Sequence, residues 1–301
     1  MGERNWIFLC SMQNLYAEID NHPASYRRFE SGKSLFTIYN CRLKNRFEPL
    51  WSHHNYIIYV VEGKKTWHTP HGSYDLQQGD CVFVRKGAAI VEQFFDTQFC
   101  FALFFVPDEF ICNVLKTKSR PLQKSAKHYQ PIIPIENLPA IEMYFQSMMT
   151  YFTHQPDPDQ SLIELKFKEL ILTIADNPVN AELRSFFASL LQSPQTVSLV
   201  RVMEDNFPFN LKLEEFAKLS SRSLSAFKRD FKKQFATTPG KWLVERRLQY
   251  AYHLLTDVGR TVSEAAFESG FEDPSHFSRA FRKLYGVSPV AMKLQMIAWA
   301  F

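Results

Sequence analysis

The sequence predicts an α+β protein, in which an N-terminal β-barrel or jelly roll precedes an all-helical C-terminal domain. Seven short runs rich in β-branched and aromatic residues lie between Ser34 and Val106, as in a small barrel. From Ala140 onward apolar residues recur at helical spacing, and one helical pattern occurs twice within Leu213–Pro289. The chain of 301 residues is long enough for two domains with separate cores.

The predicted barrel is expected to occupy residues 1–118. Its strand-forming runs are bounded by glycine, proline and aspartate, which favour turns, and they cover residues 34–43, 55–63, 64–70, 73–80, 81–87, 88–95 and 98–107. The five cysteines show no paired spacing (Cys10, Cys41, Cys81, Cys100, Cys112). Free thiols among apolar residues are therefore expected, with a redox-sensing cysteine as the alternative.

Residues 119–192 are predicted to form a mainly helical segment. A short helix to Leu115 precedes it, and a basic, proline-bearing loop is expected over residues 116–139. Apolar spacing then predicts helices over residues 140–153, 162–174 and 181–191. The second of these helices carries more apolar side chains than one small core needs (Leu162, Leu165, Phe167, Ile171, Ile174). Residues 192–196 are expected to be the interdomain linker.

The C-terminal pattern is built on two aromatic triplets with four-residue spacing. They are Phe227, Phe231 and Phe235 and, fifty residues later, Phe277, Phe281 and Tyr285. Such spacing places the rings on one stripe of a helix. Basic residues interleave with both triplets and are expected to face away from the stripe (Lys228, Arg229, Lys232, Lys233, Arg279, Arg282, Lys283). Two helices of this kind suit two successive contacts with nucleic acid.

A shorter helix is predicted in front of each aromatic helix. In the first copy, residues 220–223 interrupt the apolar pattern between the two helices. In the second copy, Thr261 and Glu264 form a capping-box pattern, and Gly270 can adopt the left-handed conformation that ends a helix. Asp273 followed by Pro274 is typical of a helix start. Helix, tight turn and a basic second helix together predict the helix-turn-helix unit.

The positive charge of the chain is concentrated in the repeated segment. Residues 196–301 contain 16 Lys and Arg against 11 Asp and Glu, whereas residues 1–195 contain 19 against 20. A solvated surface is the ordinary explanation of such an excess. Its coincidence with the repeat instead favours contact with phosphate groups.

Residues 196–292 resemble the DNA-binding domain of the AraC/XylS family of bacterial transcription regulators. The second copy carries most of the resemblance (Arg247, Leu248, Ala251, Leu255, Ala266, Gly270, Phe271, Phe277, Phe281, Gly286, Ser288, Pro289). Two positions depart from the family: Ala265 replaces a larger aliphatic residue, and Ala236 replaces a glycine common in the first copy. Residues 60–63 and 79–87 are similar to the cupin-like N-terminal domain of these regulators, and "FVRKG" resembles that of the type III secretion activators.

The resemblance implies a role for the exposed residues of both aromatic helices. Residues near the helix starts would read base edges in successive major grooves, with Arg229 and Arg279 paired to guanine (Ser225, Ala226, Lys228, Arg229, Ser275, His276, Ser278, Arg279). Residues further along would contact phosphate (Lys232, Lys233, Arg282, Lys283). The expected partner is double-stranded DNA, and solvation alone is the alternative role of each basic residue.

By the same resemblance, the protein is expected to be a transcription regulator, an activator rather than a repressor, that contacts RNA polymerase beside its promoter. The helices of residues 119–192 would pair two subunits as a homodimer, or else pack on their own barrel. The barrel would bind a small effector, with Tyr59, Trp67 and Phe83 as the first inward residues to probe. Alternatively, its own phenylalanines fill it and it binds a protein partner.

A cytoplasmic location is expected, since the sequence shows neither a signal peptide nor an apolar run of about twenty residues.

Two other classes of function compete with a transcription regulator. The first is a cupin metalloenzyme with an appended DNA anchor. Cupin metal sites use histidines and a glutamate, but His53 and His54 are adjacent and on a strand would face opposite ways. Ile90 stands where a later histidine is expected, so no metal, cofactor or catalytic residue is predicted. The second is an architectural DNA-binding protein that senses no signal.

Overall fold

The computed structural model describes residues 12–40, 45–94, 99–125, 128–136, 139–153, 156–192 and 198–299. The chain divides into two compact units, with residues 14–197 in the first and residues 198–301 in the second. The helices expected within residues 119–192 belong to the same unit as the strands. Cys10, Cys41 and most of the expected linker lie outside the described residues.

The first unit is built on two β-sheets. Its strands are β1 (Gln13–Asn14), β2 (Arg28–Ser31), β3 (Ser34–Asn40), β4 (Phe47–Ser52), β5 (Asn55–Glu62), β6 (Lys64–Thr69), β7 (Gly72–Gln77), β8 (Cys81–Val84), β9 (Gly87–Gln93), β10 (Cys100–Val106) and β11 (Ile132–Ile135). Within the described residues, one sheet has the order β1-β4-β9-β6-β7 and the other has the order β11-β8-β5-β10-β3-β2. The second sheet is antiparallel, and Phe105 of its central strand lies opposite Tyr56 on one side and Leu35 on the other.

The second of these sheets is buried on both faces. Successive strand residues point to opposite faces, so alternate residues of β10 enter different cores. One set packs between the two sheets (Phe101, Leu103, Phe105), and the other packs against helices (Ala102, Phe104, Val106). Burial on both faces explains why the strand-forming runs are continuously apolar. Many of the 28 phenylalanines of the chain pack in these two cores.

Helices cover the outer face of that sheet. The helices of the first unit are α1 (Leu15–Asn21), α2 (Asp108–Leu115), α3 (Pro139–Thr153), α4 (Gln160–Asp176) and α5 (Ala181–Gln192), and residues of α2 to α5 share one core with the sheet. Phe167, Ile171 and Ile174 of α4 are fully buried there, whereas Leu162 is 38% and Leu165 62% exposed. The apolar residues of α4 therefore pack on their own barrel and also leave an apolar edge in solvent.

The seven predicted strands are confirmed as β3 and β5 to β10, whereas β1, β2, β4 and β11 are additional. Pro49 in β4 and Pro134 in β11 argue against strands, because proline cannot donate a hydrogen bond to a neighbouring strand. β11 lies at the edge of its sheet, and beyond β4 lies only the two-residue β1 in the described sheet, so both prolines are tolerated. The loop expected over residues 116–139 is therefore wrong at Ile132–Ile135.

The second unit is helical. It contains α6 (Leu199–Asn206), α7 (Leu213–Leu219), α8 (Leu224–Phe235), α9 (Pro239–Thr256), α10 (Val262–Glu268), α11 (Pro274–Tyr285) and α12 (Pro289–Trp299). The pairs α7–α8 and α10–α11 are the predicted helix-turn-helix units, and α9 joins them. The predicted fold class, strands followed by helices, is confirmed. None of the helices in the described ranges is long and apolar enough to cross a membrane.

Candidate nucleic-acid interface

The second helix of each helix-turn-helix unit buries its aromatic stripe. Phe227 and Phe231 of α8, like Phe277 and Phe281 of α11, have no exposed surface. Burying a phenylalanine contributes about 1.5–3 kcal/mol, so the two buried rings of each helix strongly favour one rotation about its axis. The opposite face of each helix is consequently left in solvent.

Both aromatic helices begin with a capped first turn. The Ser223 hydroxyl accepts a hydrogen bond from the Ala226 amide at 3.3 Å, and the Asp273 carboxylate accepts one from the Ser275 amide at 2.8 Å. The bond from the Ser275 amide holds the pKa of Asp273 below its usual value. Such caps give partners to amide groups that the first turn of a helix otherwise leaves without one. The helix starts, where base-reading residues are predicted, are therefore well defined.

The first helix of each unit ends with the same pair of backbone hydrogen bonds. The amide-to-carbonyl pairs are Ser221–Lys218 and Arg222–Ala217 in the first copy, and Gly270–Phe267 and Phe271–Ala266 in the second. This pattern is the Schellman motif, which needs a left-handed residue. Ser221 has a φ of 56° and Gly270 a φ of 92° at that position. The repeat predicted from the sequence thus extends to individual hydrogen bonds.

The predicted DNA-contacting residues lie on the solvent side of α8 and α11. Ten are exposed (Ser225, Lys228, Arg229, Lys232, Lys233, Ser275, His276, Arg279, Arg282, Lys283), and Ala226 and Ser278 are half-buried. Lys228 and Ser278 directly follow a buried phenylalanine, and successive helix residues are about 100° apart. These two residues therefore lie at the flank of the exposed face, and Lys228 is exposed as expected.

An acidic side chain lies within the basic face of α8. The Asp230 carboxylate accepts hydrogen bonds from Nε of Arg229 at 3.1 Å and from Nε of Arg222 at 3.3 Å. Burial opposes its ionisation, but these hydrogen bonds outweigh burial and lower the pKa of Asp230. The matching residue of α11 is Ala280. Sequence reasoning missed Asp230, although an acid directly after a predicted base-reading arginine is a usable signal.

The three residues predicted to face a binding cavity do not share one interior. Trp67 belongs to the core between the two sheets, whereas Tyr59 and Phe83 belong to the core beneath the helices. Tyr59 stacks on Phe145 with ring centres 4.7 Å apart, and Phe83 packs edge-on against Phe187 at 5.6 Å. Trp67 faces inward as expected. The expectation is wrong for Tyr59 and Phe83, because both lie on the sheet that is buried on both faces and enter its core on the helix side.

His53 and His54 lie side by side on a bend between β4 and β5. Their ring centres are 4.2 Å apart, so the expectation that they face opposite ways is wrong. Burial lowers the pKa of His54 to about 3, and its imidazole is therefore neutral at pH 7. Among the described residues, no group of three or more His, Cys, Asp or Glu side chains could hold a metal ion.

Known proteins resemble both units of the chain. Residues 55–186 match the ExsA N-terminal regulatory domain family, and residues 216–295 match a helix-turn-helix domain family. The virulence regulon transcriptional activator VirF of Yersinia enterocolitica is 26% identical over 243 residues, which are 79% of this chain and 89% of VirF. The HTH-type transcriptional regulator ExsA of Pseudomonas aeruginosa is 25% identical over 239 residues, 77% of this chain and 84% of ExsA.

A third relative matches a shorter stretch. The HTH-type transcriptional activator RhaS of Klebsiella pneumoniae is 33% identical over 126 residues, which are 42% of this chain and 43% of RhaS.

Proposed function

Because the chain belongs to the AraC/XylS family of transcription regulators, we propose that it binds a specific site in double-stranded DNA and activates transcription there. One observation carries this proposal. The helix-turn-helix units of residues 213–285 share their turn and cap geometry, and each buries an aromatic stripe beneath an exposed basic face.

We assign α8 and α11 the role of recognition helices in the major groove. In this motif the start of the second helix comes closest to the bases, which favours base contacts there (Ser225, Ala226, Lys228, Arg229, Ser275, His276, Ser278, Arg279). Arg229 and Arg279 are assigned to guanine, because a guanidinium can donate to both N7 and O6 of that base. The basic residues one turn further along are assigned to phosphate (Lys232, Lys233, Arg282, Lys283).

The length of α9 supports contacts in successive grooves. Its 18 residues extend over about 27 Å at 1.5 Å per residue. With the widths of the flanking helices, this length suits recognition helices about 34 Å apart, which is one turn of DNA. A site of roughly 17–20 base pairs, bound from one side of the duplex, follows from that spacing.

The β-sheet unit of residues 14–197 is assigned a regulatory role. Aromatic side chains pack in both of its cores within the described residues, which favours control by a protein partner over a small effector in the barrel. Met143 of α3 and Leu165 of α4 are 67% and 62% exposed, and these exposed apolar side chains support pairing of two subunits. Contact with RNA polymerase and a cytoplasmic location complete the proposal.

Selection of duplexes from random DNA, followed by footprinting, tests the proposal with the purified full chain. We expect one asymmetric protected site of roughly 17–20 base pairs, and more transcript when that site precedes a promoter in a reaction with RNA polymerase. Protection that follows no sequence would leave only an architectural role and would refute specific recognition.

A further inference from the structure

Arg247 lies in the middle of α9 with its guanidinium turned into the protein. Its Nε donates a hydrogen bond to the Phe207 carbonyl at 2.7 Å. Its terminal nitrogens donate to the carbonyls of Phe209 and Gly270, each at 2.9 Å. One side chain thus holds two separate loops.

The two loops belong to different helix-turn-helix units. Residues 207–212 lead from α6 into α7 of the first helix-turn-helix unit. Residues 269–273 form the turn between α10 and α11 of the second helix-turn-helix unit. Asn210 in the first loop also donates a hydrogen bond to the Glu272 carboxylate in the second. The units are therefore connected by more than α9. We call Arg247 with residues 207–210 and 270–272 the α9 clamp.

The α9 clamp depends on a glycine as well as on an arginine. A Cβ atom on Gly270 would lie 2.5 Å from the Pro208 carbonyl oxygen and 3.0 Å from Nε of Arg247. Any side chain there would push the two loops apart. By contrast, a Cβ atom on Gly286 would meet no other heavy atom of the described chain within 4 Å.

The chemistry of the α9 clamp indicates that Arg247 fixes the relative positions of the two loops rather than adding to the stability of the fold. Burial lowers the pKa of Arg247 to about 10, so the guanidinium is still charged at neutral pH. Burying this charge against three carbonyls carries a desolvation cost, which the nearby Glu272 carboxylate partly offsets. A guanidinium nevertheless holds its donors in one rigid plane, and it therefore fixes the three carbonyls relative to one another.

We propose that Arg247 is a positioning residue for DNA recognition, which sets the distance and rotation between α8 and α11 by binding carbonyls of both units. This inference rests on the proposed DNA-binding function. When the distance and rotation between α8 and α11 are fixed, binding of α8 to its half of the DNA site also places α11 at the other half. The two contacts then act as one binding event, since the second needs little further ordering.

The test compares Arg247→Lys with Arg246→Lys in the full chain. Arg246 is a matched control, because its Nε pairs with Glu204 of α6 at 2.9 Å and its guanidinium lies over the Phe207 ring at 4.5 Å. Fluorescence anisotropy measures binding to three probes. They are the duplex that the wild-type chain selects, that duplex with one half scrambled, and that duplex with one base pair inserted between the halves.

An inserted base pair rotates one half of the site by about 35° relative to the other. Wild-type protein and Arg246→Lys are expected to lose about tenfold or more in affinity on insertion, as for a mismatched contact. For Arg247→Lys we expect about tenfold weaker binding to the intact duplex, unchanged binding to the half-scrambled duplex, and an insertion penalty below about threefold. Gly270→Ala, which opens the clamp without removing charge, should likewise reduce the insertion penalty.

Equal insertion penalties in Arg247→Lys and Arg246→Lys would overturn the positioning role. Equal losses on the intact and half-scrambled duplexes would also overturn it, because general destabilisation weakens both alike. A full insertion penalty in Gly270→Ala would count against it in the same way. If the wild-type chain selects no sequence at all, the proposed function fails, and the positioning role fails with it.

Discussion

Ala236 and Gly286 end α8 and α11 at matched positions, and exchanging their residue types is expected to shift local stability in opposite directions. Both residues are left-handed, with φ of 55° and 79°. Both amides close the same hydrogen bond, to the Lys232 carbonyl at 3.0 Å and to the Arg282 carbonyl at 2.9 Å. The residue type is therefore the main difference between the two helix ends.

The expected magnitude follows from the backbone. A left-handed conformation costs a residue with a Cβ atom roughly 1–2 kcal/mol, and the greater unfolded-state freedom of glycine offsets roughly 0.5–1 kcal/mol of this. The open space around Gly286 in the described chain means that Gly286→Ala adds no clash. We therefore expect Ala236→Gly to stabilise α8, and Gly286→Ala to destabilise α11, by about 0.5–1 kcal/mol each.

Hydrogen exchange measured by mass spectrometry on the full chain reports each helix separately. Protection of the α8 amides should rise about two- to fivefold in Ala236→Gly, and protection of the α11 amides should fall by a similar factor in Gly286→Ala. Shifts in the same direction, or no shift in either helix, would refute the idea that only the first copy carries this backbone strain.

Arg279→Ala is expected to cost ~1–3 kcal/mol at the selected duplex and to relax one base position, whereas Lys233→Ala should weaken all sequences alike and flatten the salt slope by about one. Uniform losses for both variants on scrambled DNA, in anisotropy titrations, would contradict this division. Asp230→Asn removes a carboxylate from the basic face of α8 and should tighten binding to scrambled duplexes in the same assay; weaker binding would disprove this. Hydrogen bonds from the Thr261 amide and hydroxyl lower the pKa of Glu264. The contribution of Glu264 to the free energy of unfolding is therefore fully present above its unfolded-state pKa, and it is lost as the pH falls through its lowered folded-state pKa. Urea midpoints measured below about pH 5 should show this loss, and Glu264→Gln, which keeps the capping box, should reduce it.

Local patterns in the sequence were sufficient to predict the helix-turn-helix units. The Thr261–Glu264 capping box, the left-handed Gly270 and the Asp273 cap all occur where the sequence indicates them. Each depends on contacts between residues a few positions apart. The spacing of residues along the chain is therefore enough to predict these features.

Tertiary structure decided which core each strand residue of the β-sheet unit (residues 14–197) enters. Tyr59 was expected to face the barrel interior, but it lies on a sheet buried on both faces. Such a sheet has no apolar alternation from which the direction of a side chain can be predicted. Pro134 is compatible with β11 because that strand lies at a sheet edge. Both outcomes depend on strand neighbours that lie far away in the chain.

The sequence by itself determined that this protein carries two copies of one basic, aromatic-backed helix pair, since periodicity and capping residues are local. It also marked Arg247 as part of a family pattern, without indicating what its side chain binds. Only the tertiary structure decided that Arg247 joins the two copies, through carbonyls 40, 38 and 23 residues away. Directional hydrogen bonds between distant loops leave no periodic signal in a sequence, because they form only after the intervening helices have packed.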